Sequence, residues 1–171
     1  MPNNTLNRSK AIKYFQLAKY NAEKFSKDPS TKVGAIFLSP NSYEQLSTGY
    51  NGFPRSIDDN VQQRWKRPDK YKFVEHAERN CIYNSARRGI PLDGSIAIVT
   101  LYPCCDCARA LIQVGVQTLV TIKTEGAKAR WGEDWKISDE LFSEAGIKVI
   151  VLCEDEIKED ISSKLPFDDP K

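Results

Sequence analysis

Four side chains in this sequence have the types and spacing of a catalytic metal site. His76 is the single histidine of the 171-residue chain, and Glu78 follows two positions later in His76-Ala77-Glu78. Cys104 and Cys107 stand at CxxC spacing in Pro103-Cys104-Cys105-Asp106-Cys107. A mixture of thiolate and neutral imidazole suits Zn2+. Three protein ligands leave the fourth tetrahedral position open to water, which is the arrangement of catalytic rather than structural zinc. A carboxylate beside the set, not itself a ligand, is available for acid–base work.

The order H-x-E then P-C-x-x-C is that of zinc enzymes that remove an amino group from a nucleobase. Zinc lowers the pKa of a bound water from roughly 16 to about 7. Glu78 would take that proton, hydroxide would attack the amidine carbon of an aminopyrimidine or aminopurine, and the same carboxylate would protonate the ring nitrogen and the departing amine. Blander readings stand beside this one. Glu78 could simply complement a helix dipole as a first-turn carboxylate. A redox CxxC would not need the HxE triplet. A structural zinc would need a fourth protein ligand that is not evident, and a zinc-stabilised binding module would keep the ligands without needing Glu78. Cys105 reads as a small apolar filler off the shared face, and Cys81 and Cys153 read as core.

Both halves of the motif are expected to open helices after a loop or strand. A helix N-terminus favours the negative charge of a thiolate, and Cys104 and Cys107, three apart, share a helix face. The spacing predicts a helix over 9–25, from Ile12, Phe15, Ala18, Ala22 and Phe25. A break at Ser26–Ser30 follows, then a strand over Val33–Leu38, a turn at Ser39–Ser42 and a second hairpin strand over Gln45–Tyr50. Residues 51–72, with Gly52, Pro54 and Pro68, read as a long loop with room for one helical turn; such loops are often functional. A helix over His76–Arg88 closes at Gly89. A strand over Ile96–Leu101, a helix over Cys104–Val114 and a strand over Val116–Ile122 come next. Residues 123–136 read as a second polar insertion. A short helix over Asp139–Ala145, with Ser138 as its N-cap, and a strand over Ile147–Leu152 complete the pattern. This alternation predicts a mixed sheet covered by helices.

The length fits one domain with a substantial core. The net charge of +2 conceals an asymmetry: residues 154–171 carry seven acids against three lysines, a net of −4, which leaves +6 on the remainder. That balance suits an anionic small ligand better than a nucleic-acid polymer. The polar N-terminus has no apolar run of a secretory leader, and no stretch approaches the length of a membrane span. Five cysteines, two at metal spacing, point to cytosolic thiols rather than disulfides, so a cytoplasmic location is expected (host cytoplasm for a viral protein). Arg64-Trp65-Lys66-Arg67 and the segment from Arg130 to Lys136, with Trp131 and Trp135, interleave basic and aromatic residues. They could stack the bases of a strand; the favoured reading is a lid or subunit contact.

Over roughly residues 8 to 152 the chain resembles the deoxycytidylate (dCMP) deaminases. The resemblance rests on Ser26-Lys27-Asp28-Pro29 before Val33-Gly34-Ala35, on Gly49-Tyr50-Asn51-Gly52-Phe53-Pro54, on His76-Ala77-Glu78-Arg79-Asn80 and on Pro103-Cys104-Cys105-Asp106-Cys107-Ala108. The metal half is common to cytidine-deaminase-like enzymes and specifies only the reaction type. The other two stretches point to a deoxynucleotide. The resemblance implies a single-domain α/β fold, a three-layer α/β/α sandwich with a five-stranded mixed sheet, over residues 1–153, and an acidic tail over 154–171 with a short helix. It implies that His76, Cys104 and Cys107 hold Zn2+ and that Glu78 is the general acid–base. It also implies that the Ala77 backbone contacts the pyrimidine carbonyl, the Pro103 backbone the departing amine, Asn51 the sugar, and Ser26 and Lys27 the 5′-phosphate. The implied activity is conversion of dCMP to dUMP and ammonia for thymidylate supply. Alternatives within deamination are dCTP, deoxycytidine, riboflavin precursors, or a base in tRNA or single-stranded DNA. In regulated relatives Gly49, Tyr50, Asn51 and Gly52 would correspond to a site where dCTP activates and dTTP inhibits a hexamer, with Mg2+ accompanying the effector. With one histidine in the chain, the second, structural zinc of some members is not expected.

Overall fold

In the computed structural model, which describes residues 6–162, the hairpin expected between residues 33 and 50 forms one side of a five-stranded sheet. Helix α1 (Arg8–Phe25) precedes β1 (Gly34–Leu38) and β2 (Gln45–Tyr50). A 3-10 turn (Gln62–Trp65), the one-turn helix α2 (Lys70–Phe73) and α3 (Ala77–Arg88) follow. Then come β3 (Ile96–Val99), α4 (Cys105–Gln113), β4 (Thr118–Thr121), α5 (Glu125–Glu144), β5 (Lys148–Val151) and α6 (Glu154–Ser162). The strand order is β2-β1-β3-β4-β5, antiparallel from β2 through β3 and parallel from β3 through β5. The sheet is therefore mixed, as the resemblance implies. No helix among the described residues is long and apolar enough to cross a membrane.

β1 and β3 are buried along their whole length, which is why they read as continuous apolar runs rather than alternating ones. The pleat divides their side chains between two layers. Ala35, Phe37, Ala97, Val99 and Leu119 meet Cys81 of α3, Leu111 of α4 and Phe142 of α5. Ile36, Leu38, Ile98 and Val120 meet Ile12, Phe15 and Ala18 of α1 and Ile157 of α6. The start of the acidic tail thus contributes to a core, and Arg8 and Glu156 form an ion pair between α1 and α6. Residues 1–5 and 163–171 lie outside the described residues.

α3 lies close on β2. A Cβ on Gly49 would stand 2.5 Å from the Ala77 carbonyl oxygen and 2.6 Å from the Cys81 nitrogen, so only glycine permits this approach. Around that contact the Ser47 hydroxyl donates to the Cys81 carbonyl, and the Asn80 and Asn84 amides donate to the carbonyls of Tyr50 and Thr48.

Three expectations are corrected. Residues 123–136 are not an insertion; all but the first two lie in α5, a 20-residue helix capped by the Thr124 side chain, which accepts from the Ala127 N–H. Its inner stripe runs through Ala127, Trp131, Trp135, Ser138 and Phe142. Gly126 and Gly132 disguise it, since each costs about 1 kcal/mol in a helix. Ser138 is consequently no N-cap but a buried residue in the middle of that helix. Cys153 is exposed, because it follows the last strand and turns the chain into α6, where its N–H donates to Glu156. Cys81 is buried, and burial pushes its thiol up to about 12.

The 51–72 loop holds its own small cluster. Trp65 is buried, stacks on Phe53 with centroids 4.2 Å apart and donates its indole N–H to the Asp59 carbonyl; Phe73 closes against Phe53.

Candidate active site

The N-termini of α3 and α4 converge, with His76 and Cys104 as their N-cap residues. The ligand atoms of His76, Cys104 and Cys107 all lie within 4.8 Å of one another, and among the described residues this is the one group of three or more such side chains that could hold a metal. His76 Nδ1 is 3.5 Å from Cys104 Sγ and 3.4 Å from Cys107 Sγ. Zn–N near 2.0–2.1 Å and Zn–S near 2.3 Å on a tetrahedron require N···S edges of about 3.5 Å. The set therefore fits a tetrahedral zinc with one corner left over.

Of the three candidate ligands, Cys104 is the one whose surroundings favour the ligating thiolate. A hydrogen bond from Cys107, aided by His76, lowers the Cys104 thiol to about 4 despite burial, while Cys107, as the donor, is raised. The nearby Cys104 raises His76. Glu78, in the first turn of α3, is 4% exposed, and burial pushes its carboxyl above the usual range. Glu78, Ala77, His76 and Cys104 line one cleft.

α5 supports the thiolate helix from behind. Asp134 accepts from the Cys105 backbone N–H at 2.9 Å and from the Cys105 thiol at 3.1 Å. Cys105 is thus a partner of Asp134 and not an apolar filler. The Ser138 hydroxyl donates to the Pro103 carbonyl at 3.0 Å.

The remaining sequence-derived candidates separate. Asn51 reaches the cleft, but its amide is fully used: Nδ2 donates to Asp28 Oδ2 and the Thr31 carbonyl, and Oδ1 accepts from Ser26 Oγ and the Val33 N–H. Those four bonds exhaust an amide, so a sugar hydroxyl would have to exchange with one of them. Ser26 is buried beneath Asn51 and does not line the cleft. Lys27 also lies outside it, 61% exposed and paired with Asp59. Of the four residues considered for an effector, Gly49 packs under α3, Tyr50 stacks on exposed Phe25 at the outer surface, Asn51 faces the cleft, and Gly52 bridges to Glu75.

Sequence reasoning missed part of the cleft's lining. Lys70 is buried there, 2.7 Å from Asp28 Oδ2 and 2.6 Å from Ser30 Oγ. Arg67 and Tyr71 line the same cleft, and Arg130 and Trp131 come to it from α5. Tyr71 and Trp131 meet edge to face at 6.3 Å. The tryptophan segments were legible as unusual; their partners across 60 residues were not.

Residues 8–123 match the family described as the cytidine and deoxycytidylate deaminase zinc-binding region. A deaminase from the luxG 3′ region of Aliivibrio fischeri is 37% identical over 149 residues, covering 86% of this chain and 97% of that one. The mouse deoxycytidylate deaminase is 31% identical over 140 residues, covering 78% of this chain and 75% of that one. Among solved structures, the dCMP deaminase of cyanophage S-TIM5, in complex with dCMP and dUMP, superposes with a TM-score of 0.68 at 23% identity, over 85% of this chain and 98% of that one. That likeness bears on the fold.

Proposed function

Since the chain belongs to the cytidine and deoxycytidylate deaminase family, we propose that it hydrolyses dCMP to dUMP and ammonia, a supply of dUMP for thymidylate synthesis. The observation that carries this reading is the shared cleft: Glu78, His76 and Cys104 line it together with Arg67 and Arg130, and Cys107 completes the ligand set within 4.8 Å of His76 and Cys104. His76, Cys104 and Cys107 would hold Zn2+. When bound, the metal supplies a water of lowered pKa at the corner the protein leaves open.

The chain's own residues do the rest. Glu78, buried beside the triad, would be the acid–base that passes one proton of the attacking water to the pyrimidine ring nitrogen and the other to the departing amine. The Ala77 N–H, in the first turn of α3, has no acceptor within its helix and is free to donate to the pyrimidine carbonyl. The Pro103 carbonyl takes one hydrogen bond from Ser138 and keeps a second lone pair for the amine. Asp28, Asn51 and Lys70 brace one another within the cleft lining.

The test is ammonia release from the zinc-loaded protein with dCMP, CMP, deoxycytidine, dCTP and a cytosine- or adenosine-bearing oligonucleotide, each with and without added dCTP. dCMP is expected to be the preferred substrate. If dCMP is untouched under both conditions, the reading fails; turnover of deoxycytidine, dCTP or the oligonucleotide in its place selects the corresponding alternative.

A further inference from the structure

Three cationic side chains besides His76 line the cleft: Arg67, Lys70 and Arg130. They are not equivalent. Lys70 spends its ammonium on both oxygens of Asp28 and on Ser30, so its charge is cancelled within the wall. Arg67 donates Nε to the Tyr71 hydroxyl at 2.8 Å and lies over that ring, but it has no carboxylate partner among the described residues. Arg130 has neither an ion pair nor a hydrogen bond among the described residues. The acids nearest to it on α5 are occupied elsewhere: Glu125 by Lys128, Glu133 by Lys136, and Asp134 by Cys105. The Tyr71–Trp131 contact brings the two arginine-bearing segments together on the cleft.

Resting on the nucleotide reading above, we propose that Arg67 and Arg130 are the specificity residues that bind the 5′-phosphate. Two guanidinium groups line one cleft, and neither is paired with a carboxylate among the described residues, so a phosphate dianion would supply the partner both lack. The planar fork of arginine matches phosphate oxygens two at a time. Stacking on Tyr71 leaves the terminal nitrogens of Arg67 free for that purpose. Lys27, the lysine that the resemblance assigns to the phosphate, already serves Asp59 outside the cleft.

A nucleic-acid strand would offer the same phosphate chemistry, so the experiment separates the two sources. Calorimetric binding of dUMP, deoxyuridine and a short single-stranded oligonucleotide is measured on the zinc-loaded protein and on Arg67→Gln, Arg130→Gln and, for comparison, Lys27→Gln. Steady-state rates with dCMP and deoxycytidine are taken alongside. Each arginine substitution is expected to weaken dUMP tenfold or more and to change deoxyuridine binding less than twofold. The dCMP loss should appear in KM, with deoxycytidine kcat/KM retained. Four results overturn the assignment: dUMP binding unmoved or absent, equal weakening of dUMP and deoxyuridine, a larger loss from Lys27→Gln than from either arginine, or an oligonucleotide bound more tightly than dUMP. Arginine-dependent dUMP binding with no ammonia from dCMP would keep the phosphate site and remove the deamination.

Discussion

Replacing Lys70 by Met tests whether the cleft lining is held by a buried charge pair. The Lys70 and Asp28 side chains are 8% and 1% exposed, and their closest approach is 2.7 Å. Removing one partner of such a pair typically costs about 3–5 kcal/mol, because the other charge is left uncompensated. Here Asp28 would retain the N–H groups of Ser30 and Thr31, the Ser30 hydroxyl and Asn51 Nδ2, so the lower end, about 3 kcal/mol, is expected. The assay is the midpoint of a urea unfolding curve at constant slope. The double variant with Asp28→Asn should lose less than the sum of the two singles, by about 2 kcal/mol. A single-variant cost below about 1 kcal/mol, or additivity within about 0.5 kcal/mol, would refute a desolvated, coupled pair. The pH dependence supplies a second check. Burial opposes ionisation of Asp28 and is the largest single influence, yet the bonds from Lys70, Ser30 and Thr31 together outweigh it and hold the carboxyl below its ordinary value. A depressed carboxyl contributes stability that is complete above its unfolded pKa of about 3.9 and is lost as pH falls through the folded value. Wild type should therefore lose stability faster than Asp28→Asn below about pH 4.

Four further outcomes are expected. Glu78→Gln should keep zinc, by metal analysis, and lose turnover by roughly 10²–10⁴; unchanged turnover would remove Glu78 from the reaction. His76→Ala should lower zinc content well below one ion per chain, and full occupancy would refute its assignment as a ligand. Gly49→Ala should destabilise the fold by about 1–3 kcal/mol and also depress activity, because its Cβ drives against the Ala77 carbonyl and the Cys81 nitrogen at the start of the helix that carries Glu78; stability and activity both at wild-type level would contradict the close approach. Asp134→Ala strips the cap from the Cys105 N–H and should cost about 1 kcal/mol of stability and roughly tenfold in zinc affinity, which a competing chelator would read; unaltered affinity would make Asp134 a bystander.

The strands and the metal ligands were legible because their signals are local. Val33–Leu38 and Ile96–Leu101 are apolar runs bounded by turns, and the ligands sit at motif spacing. α5 was not legible, because two glycines and a polar outer face masked a stripe repeating every three or four residues through Trp131, Trp135 and Phe142. The roles of Lys70 and Asp28 had no local signal at all, since the pair joins positions 42 residues apart. Lys27 shows the converse: it stands in a motif, but a lysine beside a buried serine can point either way, and Asp59 drew it outward.

The family match ends at residue 123, yet the site does not. The carbonyl of Pro103 is fixed by Ser138, the first free N–H of the thiolate helix is capped by Asp134, and the mouth of the cleft carries Arg130 and Trp131. All four come from α5. The matched region thus provides the atoms that would hold metal and move protons, while α5 contributes hydrogen bonds to the start of the cysteine helix and a cation to the cleft lining. On the proposed reading, α5 therefore touches both chemistry and specificity: Asp134 and Ser138 steady the cysteine helix, and Arg130 joins Arg67 of the matched region as a candidate for the phosphate.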